Sequence, residues 1–203
     1  EGNRYELTKK RFYRDLTVCG IGCVKTTYNN SEGVTVDYVD PANLVYSYTE
    51  DPYFEDIYYV GEVKSIPINE LVKQFPDMTV AELDDIIKNP TYNTSNYSNN
   101  VSSRNGIDPN QVQVLYFNFK TYQNEVYKIK STSSGALKAI PKTDTFNPPE
   151  NLDGDFTKLD KAIEVLYEGA MILGTDKLLK WQLAENMIRP KSDYTKVKMN
   201  YSI

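Results

Sequence analysis

Acidic side chains that lie close together are the first feature of this sequence that could do chemistry. A pair of carboxylates facing each other across a cleft can hydrolyse glycosides, one as an acid and the other as a nucleophile or base. Runs of like charge more often form solvated surfaces, and we favour that interpretation here. The candidate acids occur without any intervening Lys or Arg, and they are Glu50, Asp51, Glu55, Asp56 and Glu62.

Two other segments partly match ligand-binding loops. Residues 20–26 contain two glycines before a Lys-Thr pair, but a phosphate loop needs Gly directly before the Lys and a helix directly after the pair. Val24 precedes Lys25 and a β-like run follows, so we predict a helix-to-strand junction instead. Asp153 and Asp155 flank a glycine as in a calcium loop. The remaining EF-hand ligands are missing, which favours a solvated turn.

The chain has no His and only two Cys residues. Without imidazole, His-dependent triads, His-ligated zinc or haem and His acid–base catalysis are excluded. Cys19 and Cys23 cannot complete a four-ligand zinc site by themselves, and we expect reduced, partly buried thiols, with a disulfide between them left open. We therefore predict a protein that is not an enzyme and has no catalytic residues, no cofactor and no metal.

The charge balance does not provide a broad positively charged surface that could bind nucleic acid. Lys and Arg number 23 against 28 Asp and Glu, for a net charge of -5. Basic residues that could contact phosphates are concentrated towards the two ends of the chain. They lie in residues 4–14 and at Lys177, Lys180, Lys191, Lys196 and Lys198.

Asparagine and tyrosine raise the possibility of carbohydrate chemistry. Asn-x-Ser/Thr sequences would accept glycans in a eukaryotic secretory setting, although a chain rich in Asn and Ser contains such sequences by chance. The 17 tyrosines could stack on sugars, but sheet packing is their default explanation. The five acceptor sequences begin at Asn29, Asn93, Asn96, Asn100 and Asn200.

The 203 residues are 40% hydrophobic, which suffices for one compact domain or two small ones. There is no run of eighteen apolar residues, no apolar signal stretch and no initiator Met, so we expect a soluble piece of a longer protein. Hydrophobic spacing, Pro76 and a capping box at Thr79 predict the elements of the first half. These are helices at 4–16, 68–75 and 79–88, a hairpin from 18–28 and 34–38, and extended segments at 43–47 and 56–64.

The second half reads as mostly β. Residues 89–106 are dominated by Asn, Ser, Thr and Pro, which indicates an exposed loop or hinge. Strands are predicted at 111–119, 125–130, 136–140, around 163–167 and at 179–183, with a loop at 147–157. The expected class is α+β, with a mixed α/β lobe at 1–88, a polar loop or hinge at 89–110 and a mostly β lobe at 111–203.

Several runs of residues resemble the portal proteins of tailed bacteriophages. Residues 39–47 (VDPANLVYS), 56–62 (DIYYVGE) and 68–76 (INELVKQFP) are similar to the portal segment in which a strand opening with Asp-Pro precedes a short helix ending in Phe-Pro. Residues 114–117, 126–128, 165–169 and 173–176 are similar to the β-rich region that follows. The resemblance spans roughly residues 14–189, which is most of the chain, and these segments are most similar to those of portals from crAss-like phages of gut bacteria.

The resemblance implies a structural subunit of the head-to-tail connector. Such proteins form a dodecameric ring at one capsid vertex, through which double-stranded DNA passes without sequence specificity. The ring is also the docking platform for terminase, capsid and tail or adaptor proteins. The chain would then be an internal fragment, with residues 1–88 wing-like and residues 111–203 adjacent to the clip or stem. Its location would be the virion, and the host bacterial cytoplasm during assembly, with no membrane.

Two other classes remain open from the residues. One is a secreted glycan-binding module of a gut bacterium that uses Tyr and Asn on a β surface. The other is a glycosidase fragment that uses paired carboxylates. The acidic composition fits the portal hypothesis, because carboxylates along a passage would repel polyanionic DNA and reduce its adhesion to the wall.

Overall fold

A computed structural model describes residues 4–88, 111–131, 135–143, 145–147 and 156–203. Of these described residues, 20% are in helices and 48% in strands, which confirms the predicted α+β class with its mostly β character. In chain order the elements are α1 (Tyr5–Cys19), β1 (Cys23–Asn29), β2 (Gly33–Val39), β3 (Leu44–Tyr46), β4 (Tyr59–Pro67), α2 (Ile68–Gln74), α3 (Val80–Lys88), β5 (Gln111–Ser131), β6 (Leu137–Lys142), β7 (Phe156–Ile172), β8 (Leu178–Leu183) and β9 (Tyr201–Ser202).

A small antiparallel sheet is built on the predicted hairpin. Its order is β2-β1-β9, and the β1–β2 register runs from Cys23 opposite Val39 to Asn29 opposite Gly33. Gly33 has a φ of 75°, which suits the tight connection between the two strands. The hairpin prediction is confirmed, except that Val18 belongs to the preceding helix rather than to the strand.

The larger antiparallel sheet has the order β3-β4-β5-β7-β8, with β6 paired to β5. The expected interruption between residues 119 and 125 is wrong, because β5 is one strand of 21 residues. Residues 120–124 are paired along their whole length with residues 162–166 of β7. That partner ladder satisfies their backbone groups, so a polar stretch that is typical of a turn remains extended.

Of the three buried clusters among the described residues, two hold the layers together. Helices α2 and α3 contribute Leu71 and Ile86, which pack with Val112 and Ile172 against one end of the large sheet. The second cluster joins the two sheets, and its buried members are Cys23, Val39, Ile57, Val60 and Tyr201. The small sheet therefore packs on the large sheet through this cluster.

The helices lie where the sequence predicts them, but α1 is less buried than expected. Helices α2 and α3 match the segments predicted at 68–75 and 79–88. The capping box is also confirmed, since the Thr79 amide donates to Glu82 Oε2 at 2.8 Å and the Glu82 amide donates to Thr79 Oγ1 at 3.4 Å. The apolar face expected for α1 is not buried, because Tyr5, Tyr13 and Leu16 are all exposed.

The remaining strand predictions are largely confirmed. The strand predicted at 179–183 is β8, and the strand predicted at 136–140 is β6. The alternation at 163–167 belongs to β7, which begins at Phe156. The polar segment 89–106 and most of the loop predicted at 147–157 lie outside the described residues.

Strand pairing crosses the predicted domain division. Strand β4 pairs with β5 over nine residues, from Tyr59 opposite Phe119 to Pro67 opposite Gln111. Strand β9 likewise returns to pair with β1. The division into 1–88, 89–110 and 111–203 stays a prediction, and any two lobes defined by it share this sheet.

Candidate functional site

Helix α1 has one face on the protein and one face in solvent. Phe12 is half-buried over the small sheet, and the Tyr38 hydroxyl donates to Asp15 Oδ2 at 2.5 Å. Burial, together with this hydrogen bond, raises the pKa of Tyr38. The Arg11 guanidinium lies 5.5 Å from the centre of the Tyr38 ring. Phe12, Asp15 and Arg11 therefore attach the helix to β2.

Away from this contact, α1 carries charge and apolar area that no other described residue of the chain covers. Leu7, Lys10, Tyr13 and Arg14 are exposed, and their spacing of three, four and seven places them along one side of the helix. Tyr13 retains 55% of its accessible surface. We call these four residues the outer face of α1. Its composition, with Tyr and Arg beside Lys and Leu, resembles that of protein–protein contact surfaces.

The loop 47–58 contains four of the five carboxylates considered for catalysis. Asp51 holds the loop, since Oδ1 accepts from the Tyr53 amide and Oδ2 accepts from the Glu55 amide, both at 3.0 Å. The Asp56 carboxylate accepts from the Thr49 hydroxyl. The structure thus uses Asp51 and Asp56 to shape the loop, which agrees with the solvated-surface interpretation.

The same loop packs Ile57 and Phe54 against the protein and leaves two tyrosines in solvent. Ile57 is buried in the cluster between the sheets and Phe54 packs against that cluster. Tyr48 and Tyr53 remain 82% and 81% exposed, next to the exposed Glu50 and Glu55. Ile57 and Phe54 therefore anchor the loop on the buried cluster, and its tyrosine and carboxylate groups face solvent. We call residues 47–58 the acidic tyrosine loop.

The fifth carboxylate, Glu62, is separate from the others and buried at the junction of the two sheets. Lys64 Nζ and Lys25 Nζ lie 2.9 Å and 3.5 Å from Glu62 Oε1, and the Tyr201 hydroxyl donates to the same oxygen at 3.5 Å. Lys25 also lies 4.9 Å from the centre of the Tyr201 ring. Burial lowers the pKa of Lys25, although the adjacent Glu62 opposes this effect.

A second acid extends the junction on β7. Glu168 pairs with Lys180 at 3.2 Å and accepts from the Asn200 side-chain amide at 3.3 Å. Burial is the main cause that raises the pKa of Tyr201, and the negative charge of Glu62 adds to it.

The junction joins strands that are far apart in the chain. Sequence reasoning missed it, although charged residues at the alternate positions of β4, beside the buried Val60 and Ile66, were a detectable signal.

Aromatic side chains gather on the face of the large sheet that lies opposite Glu62. The ring of Trp181 stacks on Tyr167 with centroids 5.0 Å apart and planes 11° apart. Phe117 and Phe119 lie 6.0 Å from the same ring. Trp181 is 47% exposed. This aromatic face has the area to contact a flat apolar group. Of the described features, it best matches the sugar-stacking surface for which the tyrosine content was considered.

The glycine segment 20–26 forms the predicted junction between a helix and a strand. Gly20 ends α1 with a φ of 75°, and β1 begins at Cys23. A Cβ at Gly22 would lie 2.9 Å from the Phe12 ring, so close packing explains this second glycine. A strand, rather than a phosphate-binding helix, follows the Lys-Thr pair.

The two thiols are free and differ in environment. Both are reduced, as expected, but neither is partly buried: Cys23 is fully buried and Cys19 is exposed at the end of α1. Burial raises the pKa of Cys23 to about 12, with the charge of Glu62 as a smaller contribution. A thiolate at Cys23 is therefore strongly disfavoured in the folded chain.

The basic residues near the C-terminal end are only partly available. Lys177 pairs with Glu82 at 2.7 Å and Lys180 pairs with Glu168, while Lys191, Lys196 and Lys198 are exposed. The structure thus separates this sequence cluster into two roles, ion pairs that tie elements together and three solvent-exposed cations.

Two of the five glycan-acceptor sequences begin at described residues. Asn29 is the last residue of β1. Asn200 is 8% exposed and donates to Glu168, so its amide is poorly accessible in the folded chain. The other three, at Asn93, Asn96 and Asn100, lie outside the described residues. Asp153 and Asp155, the two acids compared with a calcium-binding loop, also lie outside them.

Among the described residues, no group of three His, Cys, Asp or Glu side chains is placed to hold a metal ion. In the same part of the chain, no helix combines the length and the apolar character needed to cross a membrane. Comparison with known proteins gave no matching family model and no matching curated protein.

Proposed function

We propose that this chain is part of a bacteriophage portal subunit, the ring protein through which DNA enters and leaves the capsid. The observation that carries the proposal is the resemblance of residues 39–76 to the portal segment. In the structure these residues form a continuous unit, in which β3, the acidic tyrosine loop, β4 and α2 follow one another and Phe75 and Pro76 come after the helix.

The later resembling segments adjoin this unit in space. Residues 114–117 lie on β5 and pair with β4, and residues 165–169 lie on β7 and pair with β5. Portal-like runs from both halves of the sequence therefore meet in one sheet. This arrangement supports the proposal because the resembling segments would form one structural region of the parent protein rather than scattered matches.

The proposed role requires surfaces that bind protein and tolerate DNA without adhering to it. The net charge of -5 suits a surface that repels a polyanion. Exposed tyrosines on the acidic tyrosine loop suit contacts with terminase, adaptor or neighbouring portal subunits. We place this activity in the virion and, during assembly, in the bacterial cytoplasm.

The decisive experiment is the mass of the complete gene product in solution. A closed assembly of about twelve subunits would support the portal proposal, since rotational symmetry closes such rings. A strict monomer at high protein concentration would contradict it. Neighbouring genes for a terminase and a capsid protein would be independent support.

A portal subunit also requires no catalysis, and we propose that the chain turns over neither ATP nor polysaccharide. The test is an assay with both substrates, alongside the variants Glu50→Ala, Asp51→Ala, Glu55→Ala and Asp56→Ala. Turnover that is lost in one of these variants would contradict the proposal and favour a glycosidase or nucleotidase fragment.

A second candidate function, a secreted glycan-binding module, is favoured by the aromatic face around Trp181. Stacked aromatic rings of this kind provide the flat apolar area that sugar rings contact. Trp181 is the only tryptophan in the chain, so its fluorescence reports directly on this face. Saturable quenching by oligosaccharides that is absent in Tyr167→Ala, with Tyr122→Ala as an exposed control, would favour glycan binding over the portal role.

A further inference from the structure

We propose that the outer face of α1 docks against the acidic tyrosine loop of a second copy of this chain. The inference rests on the proposed function, because it specifies one contact by which subunits would meet. It concerns two surfaces that the internal packing of the chain leaves exposed, and its evidence is their opposite charge and matching aromatic composition.

The helix supplies the basic partner. Lys10 and Arg14 are exposed one turn apart, with Tyr13 between them and Leu7 alongside. Neither base has an ion pair with a described acid of the same chain. The side of α1 that carries Phe12 and Asp15 is already attached to the small sheet, whereas the outer face remains open to a partner.

The loop supplies the acidic partner. Residues 47–58 contain four carboxylates and no Lys or Arg. Glu50 and Glu55 are exposed beside Tyr48 and Tyr53, each of which has more than four-fifths of its surface in contact with solvent. No described base of the same chain forms an ion pair with the loop carboxylates, so their charges remain available to a partner.

The two surfaces are complementary and they are different from each other. Arg and Tyr are enriched at the centres of protein interfaces, where their planar groups bury area and form hydrogen bonds. Opposite charges raise the rate and the specificity of such encounters. A contact between two different surfaces of identical chains is head-to-tail, which is the geometry that repeats around a closed ring.

The test is sedimentation equilibrium of the 203-residue chain at about 500 µM, in about 50 mM and about 500 mM salt. We expect weak association that diminishes in high salt. The helix variant Lys10→Glu/Arg14→Glu and the loop variant Glu50→Lys/Glu55→Lys should each weaken the association constant about tenfold, since like charges then face each other. An equimolar mixture of the two variants should recover association, because each surface again meets its opposite charge.

The matched control is Lys73→Glu/Lys138→Glu, which makes the same charge change at exposed lysines on α2 and β6, outside both surfaces. It should associate as the unmodified chain does. Equal weakening by this control, failure of the mixture to recover, or no association of the unmodified chain would each overturn the docking inference. A ring formed by the complete gene product would still support the portal role in those cases, so the two failures can be told apart.

Discussion

At the scale of single residues, Glu62 is the side chain on which the packing of the small sheet depends. We expect Glu62→Gln to lower the free energy of unfolding by about 3 kcal/mol, because the substitution leaves Lys25 partly buried beside Lys64 without a counter-charge. Urea denaturation measures the change. The control is Lys64→Met, whose side chain is 52% exposed and whose loss should cost less than about 1 kcal/mol.

A change in the slope of the denaturation curve without a shift of its midpoint would contradict this expectation. An equal loss in Glu62→Gln and Lys64→Met would also contradict it, since the exposed pair would then matter as much as the buried one.

Cys23 gives a second residue-scale prediction, on pH and thiol reactivity. Its pKa in the folded chain is raised from 9.0 to about 12. A raised pKa stabilises the fold fully below pH 9 and this contribution is lost as pH rises from 9 towards 12, because only the unfolded thiol then ionises. We therefore expect stability to fall across this range, and to fall less in Cys23→Ala.

Thiol titration at pH 8 provides the second measurement on the same group. One thiol, Cys19, should react rapidly with a disulfide reagent, and the other should react only after unfolding. The variant Cys19→Ala should have no rapidly reacting thiol. Rapid reaction of both thiols in the unmodified chain would show that Cys23 is accessible.

At the scale of secondary-structure elements, the capping box decides how α3 begins. We expect Thr79→Ala to lower stability by about 1 kcal/mol, since the first turn of α3 loses a hydroxyl acceptor. Far-ultraviolet circular dichroism during urea denaturation measures the effect. Thr17→Ala is the control, because its hydroxyl bonds to the Tyr13 carbonyl within α1 and caps nothing. Equal losses in both variants would contradict a specific capping role.

The capping acid adds a pH dependence at the same helix end. Hydrogen bonds and ion pairing with Lys177, followed by bonds to Thr79, lower the pKa of Glu82 from 4.5 to about 2. A lowered pKa stabilises the fold above pH 4.5 and this contribution is lost as pH falls from 4.5 to 2. The loss should be smaller in Glu82→Gln, which carries no titrating group there.

Two glycines of the large sheet, Gly61 on β4 and Gly169 on β7, lie in close contact with β5 and lead to a further prediction. A Cβ at Gly61 would lie 2.6 Å from the carbonyl oxygen of Tyr116, whereas a Cβ at Gly169 would meet the ring of Phe117. We expect Gly61→Ala to cost about 3 kcal/mol and Gly169→Ala about 1 kcal/mol, because a backbone atom yields less than a ring. Thermal denaturation ranks the two variants, and the reverse order would contradict the argument.

Elements with local signals were predictable from the sequence, and elements that depend on distant partners were not. The periodicity of α2, the Phe-Pro at its end and the capping box at Thr79 are contained in neighbouring residues, and the structure agrees with them. The continuity of β5 depends on its pairing with β7, more than thirty residues away, so the polar residues at 120–124 gave the opposite indication.

The same distinction applies to the candidate sites. The exposed carboxylates at 50–56 behave as the solvated loop that their charge pattern predicts. The junction of Lys25, Glu62 and Tyr201 was not predictable, because no local pattern indicates that residues 139 positions apart share a hydrogen bond. The burial of α1 was overestimated, since periodicity identifies an apolar stripe but not whether a partner covers it.

At the scale of the whole molecule, the size of its contacts limits how the isolated chain can associate. A stable interface buries on the order of 1,600 Å² in total, and one helix face against one loop falls short of this area. Stem and crown elements, which supply much of the ring contact in the resembled family, are not recognisable in this sequence. We therefore predict a monomer or weak association at micromolar concentration, measured by sedimentation equilibrium. A stable ring of the 203-residue chain would show that the main interface lies within it.

The surface charge makes the corresponding prediction for DNA. The net charge is -5, and Lys177 and Lys180 are already paired with Glu82 and Glu168. The net negative charge repels the phosphate backbone, so we expect duplex DNA to bind to this chain no better than to an acidic control protein, even in low salt. Titration of labelled duplex in low and high salt measures this. Tight binding that weakens steeply with salt, and that is lost in Lys191→Glu/Lys198→Glu, would mean that the exposed lysines form a phosphate-contacting surface and that repulsion from acidic residues does not govern this region.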